Sequence, residues 1–365
     1  MFNRFLFFCS IGLIGMVSGI GLWWMYRRGF TLLMPKWTVL FFVILPLMFV
    51  LPHIAIDHMP LTLTKICAWV GGYWFIFVFY SILLMVVYFL IFLGTALFHQ
   101  PSLWQTLSQN MALYGGIAVA LLVLAGSWNA FHPVYRDVTI RTNKPLSREI
   151  TIAFVTDTHL GPIQSSWYSK ALTERLNDAG ADAIVFGGDI IDGNLPFVLA
   201  DGSYKNFAAL HAPLGVYAVY GNHDYFNGDL KKEAAEFKPI QFLQNDTITL
   251  ADSIELTGLD DYLHDPYNNV PKPKDEHFQI LVDHEPLRIP PASLAGYDLY
   301  LAGHTHGGQY PPISWLTERM YLLNYGTKTF AHMTAIVSNG YGFWGTPVRI
   351  GPAPEIVRIH IKSGQ

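Results

Sequence analysis

Four stretches within the first 131 residues, roughly 5–26, 37–56, 68–98 and 111–131, consist almost wholly of apolar side chains. Each approaches or exceeds the ~20 residues a helix needs to cross a bilayer. Residues 1–136 contain six Lys/Arg and a single acid, Asp57, whereas the rest of the chain holds 17 bases and 26 acids. The sequence therefore divides into an all-α transmembrane region of about four helices, residues 1–135, and an ordinary acidic domain, residues 136–365. Trp23, Trp24, Trp37, Trp69, Tyr73 and Trp128 fall toward the ends of the stretches, where an interfacial belt places them. The third stretch is long enough to tilt or to extend into the interface.

A cleaved leader is the competing reading of residues 1–26, but the apolar run is long, no A-x-A-like site follows it, and "YRRG" comes next. An uncleaved anchor is the expectation. "RRGFTLL" has the look of a twin-arginine export signal, yet it lies behind a complete span and is cut short by Pro35-Lys36. With four spans both termini share a side, which carries Arg4, Lys65, Arg136, Arg141, Lys144 and Arg148 against Arg27, Arg28 and Lys36 opposite. The positive-inside rule then places the C-terminal domain in the cytoplasm, although the first span alone argues the reverse. Cys9 and Cys67 both lie in or beside spans, which excludes a disulfide scaffold or a thiolate metal site in the domain.

Beyond a turn-rich linker broken by Pro133 and Pro145, short apolar runs recur: "ITIAFV", "AIVFGG", "GVYAVYG", "FQILV", "DLYLAG" and "EIVRIHI". Helix-like segments lie between some of them, such as 165–179 with Ser165 or Ser166 as candidate N-cap. Strands interleaved with helices predict an α/β domain.

Five of those runs end in metal-binding side chains. "FVTDTHLG" supplies Asp157 and His159, "VFGGDIIDG" Asp189, "VYGNHDY" Asn222, His223 and Asp224, "LVDHEP" His284, and "LAGHTHGG" His304 and His306. If the runs are buried strands, their ends converge on one edge of a sheet, where α/β proteins usually build sites. Singly, a D-x-H pair is more often a surface or capping pair. Five such groups, each after an apolar run, predict a metal site. Carboxylates, imidazoles and an amide oxygen without thiolate suit Mn²⁺, Fe or Zn²⁺ better than Mg²⁺.

The ordered set D-x-H, G-D, G-N-H-D, H and G-H-x-H resembles the calcineurin-like metallophosphoesterases, from about residue 150 to the end. "GLDD" at 258–261, "AGHTHGGQ" at 302–309 and the ending "GYGFWGTPVRIGPAPEIVRIHI" look most like a membrane-associated bacterial branch. The resemblance implies a four-layer domain, a β-sandwich flanked by helices, with two divalent metal ions. One would be held by Asp157, His159 and His306, the other by Asn222, His284 and His304, with Asp189 between them. It also makes His223 the group that stabilises the transferring phosphoryl and protonates the leaving oxygen, with Asp224 orienting its ring. Thr158 stands where the family commonly has leucine, at a non-ligand position. Two ions roughly 3.5–4 Å apart can activate a bridging hydroxide and clamp phosphoryl oxygens during in-line displacement.

The implied activity is a metal-dependent phosphoric ester hydrolase, Mn²⁺ being the first-choice metal, acting on a phosphomonoester, phosphodiester or pyrophosphate. The anchor favours a lipid-linked substrate and a bacterial inner-membrane location, with the lipid bilayer as partner. Two rivals remain: a general phosphodiesterase for soluble or wall-polymer substrates, and a membrane sensor that binds metal or phosphate without turnover. The spans are nearly free of charge, which argues against transport, and the net charge of −9 (17 − 26) over residues 137–365 argues against nucleic acid. Residues 310–330, aromatic and aliphatic, read equally as an acyl-chain groove, an interfacial segment or a packed covering loop. Asp192 reads as a loop or supporting group, Asp260 and Asp261 as acidic turn residues at the cleft, and His53, His58 and His99 as interfacial. His132, His211, His264, His277, His332 and His360 show no partner in the sequence.

Overall fold

The computed structural model describes residues 2–226, 229–251, 253–265, 270–273 and 276–364. By internal contacts the chain divides into two units, residues 1–128 with 345–348, and residues 129–344 with 349–365.

The first unit consists of helices α1 (Phe2–Gly29), α2 (Val39–Ile54), α3 (Leu61–Leu97) and most of α4 (Pro101–Ala130). All four are long and apolar enough to cross a membrane, and much of their surface is exposed leucine, isoleucine, valine and phenylalanine. The helices outrun the apolar stretches, most of all α4, which starts at Pro101 rather than near 111. Hydropathy misses those first turns, about three of them, because Gln105, Ser108 and Gln109 are polar, but Ser108 is buried and accepts a hydrogen bond from Arg28 (3.3 Å). Backbones approach closely where side chains are absent: a Cβ on Gly71 of α3 would collide with Phe49 of α2.

The second unit begins with β1 (Val134–Thr142) and β2 (Ile150–Val155), then α5 (Ser166–Asp178), β3 (Ala183–Phe186), α6 (Leu195–Asp201) and β4 (Val216–Ala218). Then come α7 (Asn222–Phe226), α8 (Leu230–Glu236), β5 (Gln241–Phe242), β6 (Asp246–Leu250), β7 (Ile254–Gly258), β8 (Phe278–Val282) and α9 (Ile289–Ala295). The unit closes with β9 (Leu299–Ala302), α10 (Ile313–Met320), β10 (Gly326–Phe330), β11 (Met333–Val337) and β12 (Glu355–Ser363).

The strands form two six-stranded sheets, ordered β1-β12-β2-β3-β4-β5 and β10-β11-β9-β8-β7-β6. Strands β2 to β5 are mutually parallel, as are β7, β8, β9 and β11. The two-residue alternation of a strand explains the layers. Ile152, Phe154 and Val185 of the first sheet share a buried cluster with Leu256, Ile280, Leu299 and Leu301 of the second. Ala153, Val155, Ile184 and Phe186 turn the other way, onto Tyr168, Leu172 and Leu176 of α5 and Val198 of α6. On the far side Leu281, Tyr300 and Ala302 meet Ile289 and Ala292 of α9. Helix, sheet, sheet, helix is the four-layer α/β arrangement that the sequence predicts. Ser165 takes the N-cap position of α5 as expected, but its side chain makes no capping bond, and the Asp201 carboxylate accepts the Ser166 N–H (2.9 Å).

Candidate metal centre

Every predicted ligand follows the C-terminal end of a strand. Asp157 and His159 follow β2, Asp189 follows β3, Asn222 and His223 open α7 after β4, His284 follows β8, and His304 and His306 follow β9. The sequence expectation of a single sheet edge needs amendment, since three loops come from one sheet and two from the other. The sandwich brings both sets to one place. Asp157, His159, Asp189, His304 and His306 all adopt positive φ, between 45° and 69°. Each such non-glycine residue costs of order 1–3 kcal/mol, tolerated where the surroundings over-determine the backbone. Close approach demands glycine beside them: a side chain at Gly303 would collide with Thr156 and Asp157.

The side chains fall into two groups. In one, His306 Nε2 lies 2.9 Å from His159 Nε2 and 3.4 Å from Asp157 Oδ1. In the other, His304 Nδ1 lies 3.0 Å from Asn222 Oδ1 and 3.3 Å from His284 Nε2. Asp189 stands between them, its Oδ2 3.3 Å from His284 Nε2 and 3.7 Å from His159 Nε2. Donors bonded at 2.0–2.2 Å to one ion sit about 3–3.5 Å from each other, so both sets have the spacing of a coordination shell. The groups Asp157, His159, His306 and Asp189, His284, His304 can each converge on one divalent cation. The ring orientations are fixed from behind. Nδ1 of His284 donates to the Gly187 carbonyl (2.8 Å), leaving Nε2 for the site.

Charge and burial act on one histidine in each half and on the carboxylate between them. Burial raises Asp189, but His284 and His223 outweigh it and hold the carboxyl well below its ordinary range. Burial and the neighbouring His284 push His304 down to about 3. Burial, His159 and Arg349 hold His306 well below its usual value. Two imidazoles are thus kept neutral, with lone pairs free, beside a carboxylate kept ionised.

The partner of His223 is not the one that the family resemblance implies. Its Nδ1 lies 2.9 Å from Asp192 Oδ1, at ion-pair distance though off the line of a straight hydrogen bond. The same oxygen is 3.4 Å from His159 Nδ1. Asp224 instead accepts backbone N–H bonds from Asp189 (2.9 Å), Gly221 (2.8 Å) and Ile191 (3.1 Å), tying two site loops together. An adjacent residue on α7 cannot reach round to its neighbour's ring, whereas Asp192 comes from the next loop. The D-x-x-D spacing of Asp189 and Asp192 was the available signal.

A cavity of about 220 Å³ opens over His159, Asp189, Asn222, His223, His304 and His306 and is bordered by Tyr310, Ile313, Thr317 and Trp344. Asp260 and Asp261 do not line it: Asp260 accepts from Tyr225 (2.6 Å), and Asp261 lies 2.7 Å from His264 Nδ1. His277 and His360 likewise find carboxylate neighbours, Glu255 at 3.9 Å and Asp137 at 3.0 Å, away from the site. Thr158 donates to the Ile190 carbonyl (2.8 Å) and helps splice the first two loops. Two supports escaped sequence reasoning. Buried Arg349 places Nη2 3.1 Å from His306 Nδ1 and also donates to the Asn339 and Gly342 carbonyls. Behind His284, Asp283 is gripped by Arg288 and Tyr300, both at 2.8 Å. Arg288 sits in no motif, and the quoted ending that contains Arg349 does not say what it touches, so only the fold reveals their roles.

Residues 150–308 match the model of the calcineurin-like phosphoesterases. A metallophosphoesterase of Campylobacter jejuni is 30% identical over 234 residues, 60% of each chain. YkuE of Bacillus subtilis, also named a metallophosphoesterase, is 30% identical over 227 residues, 57% of this chain and 77% of that protein. A Bos taurus protein named for a transmembrane segment with a metallophosphoesterase domain is 28% identical over 289 residues, covering 70% of this chain and 64% of its own. The chain belongs to the calcineurin-like phosphoesterases, metal-dependent phosphoester hydrolases, and joins that domain to four helices apolar enough to cross a membrane.

Proposed function

We propose that the protein is a membrane-anchored dinuclear phosphoesterase that hydrolyses a lipid-linked phosphoester or pyrophosphate. The observation that carries this reading is the position of Asp189, one ionised carboxylate between two histidine groups. Asp157, His159 and His306 would hold one cation and Asn222, His284 and His304 the other, with Asp189 shared. A pair of divalent cations, Mn²⁺ by preference for this mixed N/O donor set, supplies an activated water and neutralises charge on the phosphoryl oxygens. His223 borders the cavity with Nδ1 turned to Asp192, so its other nitrogen is left to face the phosphoryl and to protonate the leaving oxygen. Asp192 holds that ring and, through the same oxygen, steadies His159.

Residues 136–365 form the catalytic domain in this reading, with residues 1–135 as its anchor. The resemblance to a membrane-associated bacterial branch supports a bacterial inner membrane, and the basic residues flanking the spans favour the domain in the cytoplasm. A substrate embedded in that bilayer gives the anchor a purpose that a soluble ester does not. The domain's acidic balance disfavours nucleic acid.

The test is full-length protein in detergent, loaded with Mn²⁺ and offered a small aryl phosphodiester, lipid phosphates and lipid pyrophosphates. Turnover that prefers one lipid class and disappears in Asp189→Ala and His223→Ala supports the reading. Metal bound at both groups with no turnover of any of these substrates sinks it.

A further inference from the structure

Helix α10 is turned inside out. Its polar Ser314 and Thr317 lie on the side facing the protein, where a Cβ on Gly308 would collide with both. Apart from Ile313 at its start, its apolar residues point the other way: Trp315 is 59% exposed, Leu316 58% and Met320 62%, and no residue of the helix is buried. Leu316 and Met320 are one turn apart and share a stripe. A water-soluble surface helix shows the opposite arrangement.

We propose that α10 is an interfacial helix whose Leu316 and Met320 stripe, with Trp315, inserts into the surface of a lipid bilayer beside the metal cavity. The inference rests on the membrane-anchored reading above and deepens it. Three observations identify the bilayer as the occupant. Only residues 131–133 separate the end of α4 from the start of β1. Fully extended, so short a link spans about 10–14 Å, which confines the domain to the neighbourhood of any membrane that α4 crosses. On the helical wheel, exposed Arg319 falls between Trp315 and Leu316, where a guanidinium can reach lipid phosphates while its neighbours sit among acyl carbons. Finally, Ile313 and Thr317 of the same helix line the metal cavity, so one edge of α10 faces the site while its apolar face is open. A lipid headgroup could pass from the leaflet to the cavity along this helix without its chains entering water.

The experiment uses the full chain with Cys9 and Cys67 replaced by alanine and a nitroxide placed by Leu316→Cys, Met320→Cys or, as the control face, Glu318→Cys. Each is reconstituted into phosphatidylcholine/phosphatidylglycerol vesicles, and collision with oxygen is compared with collision with a water-soluble nickel chelate. Oxygen is expected to dominate at 316 and 320 and the chelate at 318. Chelate dominance at all three positions overturns the proposal, as does protection at 316 and 320 that appears only when protein is crowded in the vesicle, which would assign the stripe to a second copy. A second arm needs no labels: the Leu316→Ser/Met320→Ser variant should keep its turnover of a soluble aryl phosphodiester and lose turnover of vesicle-embedded lipid phosphate. Equal turnover of the vesicle substrate by variant and parent counts against the helix. The two readings fail separately. An oxygen-dominated stripe in a protein that hydrolyses neither substrate refutes the phosphoesterase reading alone, and metal-dependent turnover with a water-exposed stripe refutes the helix alone.

Discussion

Asp192 Oδ1 stands 2.9 Å from Nδ1 of His223 and 3.4 Å from Nδ1 of His159, so one carboxylate oxygen serves both the histidine proposed for proton transfer and a metal-ligand candidate. Replacing a group that orients such residues typically costs 10–100-fold. Asp192→Asn is therefore expected to lower kcat on an aryl phosphodiester by about 10–100-fold and also to weaken metal binding. His223→Ala should lower kcat while leaving metal stoichiometry intact. Steady-state kinetics with metal analysis of both proteins separates the two: unchanged metal affinity in Asp192→Asn would deny the link to His159.

Asp189 is expected to control stoichiometry. Its Oδ2 reaches both histidine groups, so Asp189→Ala should bind fewer ions than the parent and lose at least about 100-fold in activity, the upper end for mere supporting residues. Inductively coupled plasma analysis after desalting reads the ion count directly. Two tightly held ions in the variant would show that the groups do not share this carboxylate.

Metal removal should also be visible without any assay of turnover. Ligands that bind only the folded chain stabilise it by about 2.7 kcal/mol at a hundredfold excess over Kd. Buried Asp157 and Asp189 gain a counter-charge in that process. The melting temperature of detergent-solubilised protein should rise with Mn²⁺ until saturation and fall with a chelator. A flat response across micromolar to millimolar Mn²⁺ would contradict the centre.

The candidate ligand set was legible in the sequence because metal chemistry restricts residue type and strand ends restrict position. Asp157, His159, Asp189, Asn222, His284, His304 and His306 all announce themselves after an apolar run. What orients them was not, because orientation is contributed from elsewhere in the chain. Arg349 reaches His306 from 43 residues away, and Asp192 displaces Asp224 because a helix fixes where each side chain points. The α/β class was legible from the interleaved runs, whereas the four layers came only with the family resemblance, because strands such as β3 and β8 are buried along their whole length; the split of the site between two sheets follows from strand order, on which short apolar runs are silent. Hydropathy located the apolar helices and underestimated α4, whose polar first turns are helical and partly packed.

Gly303→Ala tests whether the tight approach at the end of β9 is a requirement of the site. The added methyl would meet Thr156 and the Asp157 carboxylate, and the His304 N–H that donates to Asp157 at 3.0 and 3.1 Å lies next to it. Overpacking of this kind costs about 1–3 kcal/mol, and the displaced group is a metal-ligand candidate. A lower melting temperature together with weakened Mn²⁺ binding is the expected pair of effects. A stable variant with parental metal affinity would mean that the loop has slack that the geometry does not suggest.

Arg136 and Glu355 join β1 to β12 by a two-pronged ion pair, Nε to Oε2 at 2.8 Å and Nη2 to Oε1 at 2.9 Å. Glu355 is buried, and its other support is the Tyr325 hydroxyl at 3.2 Å. Removing the arginine leaves a buried carboxylate short of its counter-charge, a change that costs about 3–5 kcal/mol when the partner is fully enclosed and less here, where Arg136 is partly exposed. Arg136→Ala should therefore lower the melting temperature more than Arg136→Ala/Glu355→Gln, because the second substitution removes the unpaired charge while keeping the shape. Arg136 lies in the strand that follows α4, and neither residue lines the metal cavity, so the surviving folded protein should keep its turnover of a soluble diester. Loss of that turnover at a temperature where the variant is folded would show that β1 does more for the site than hold the edge of its sheet.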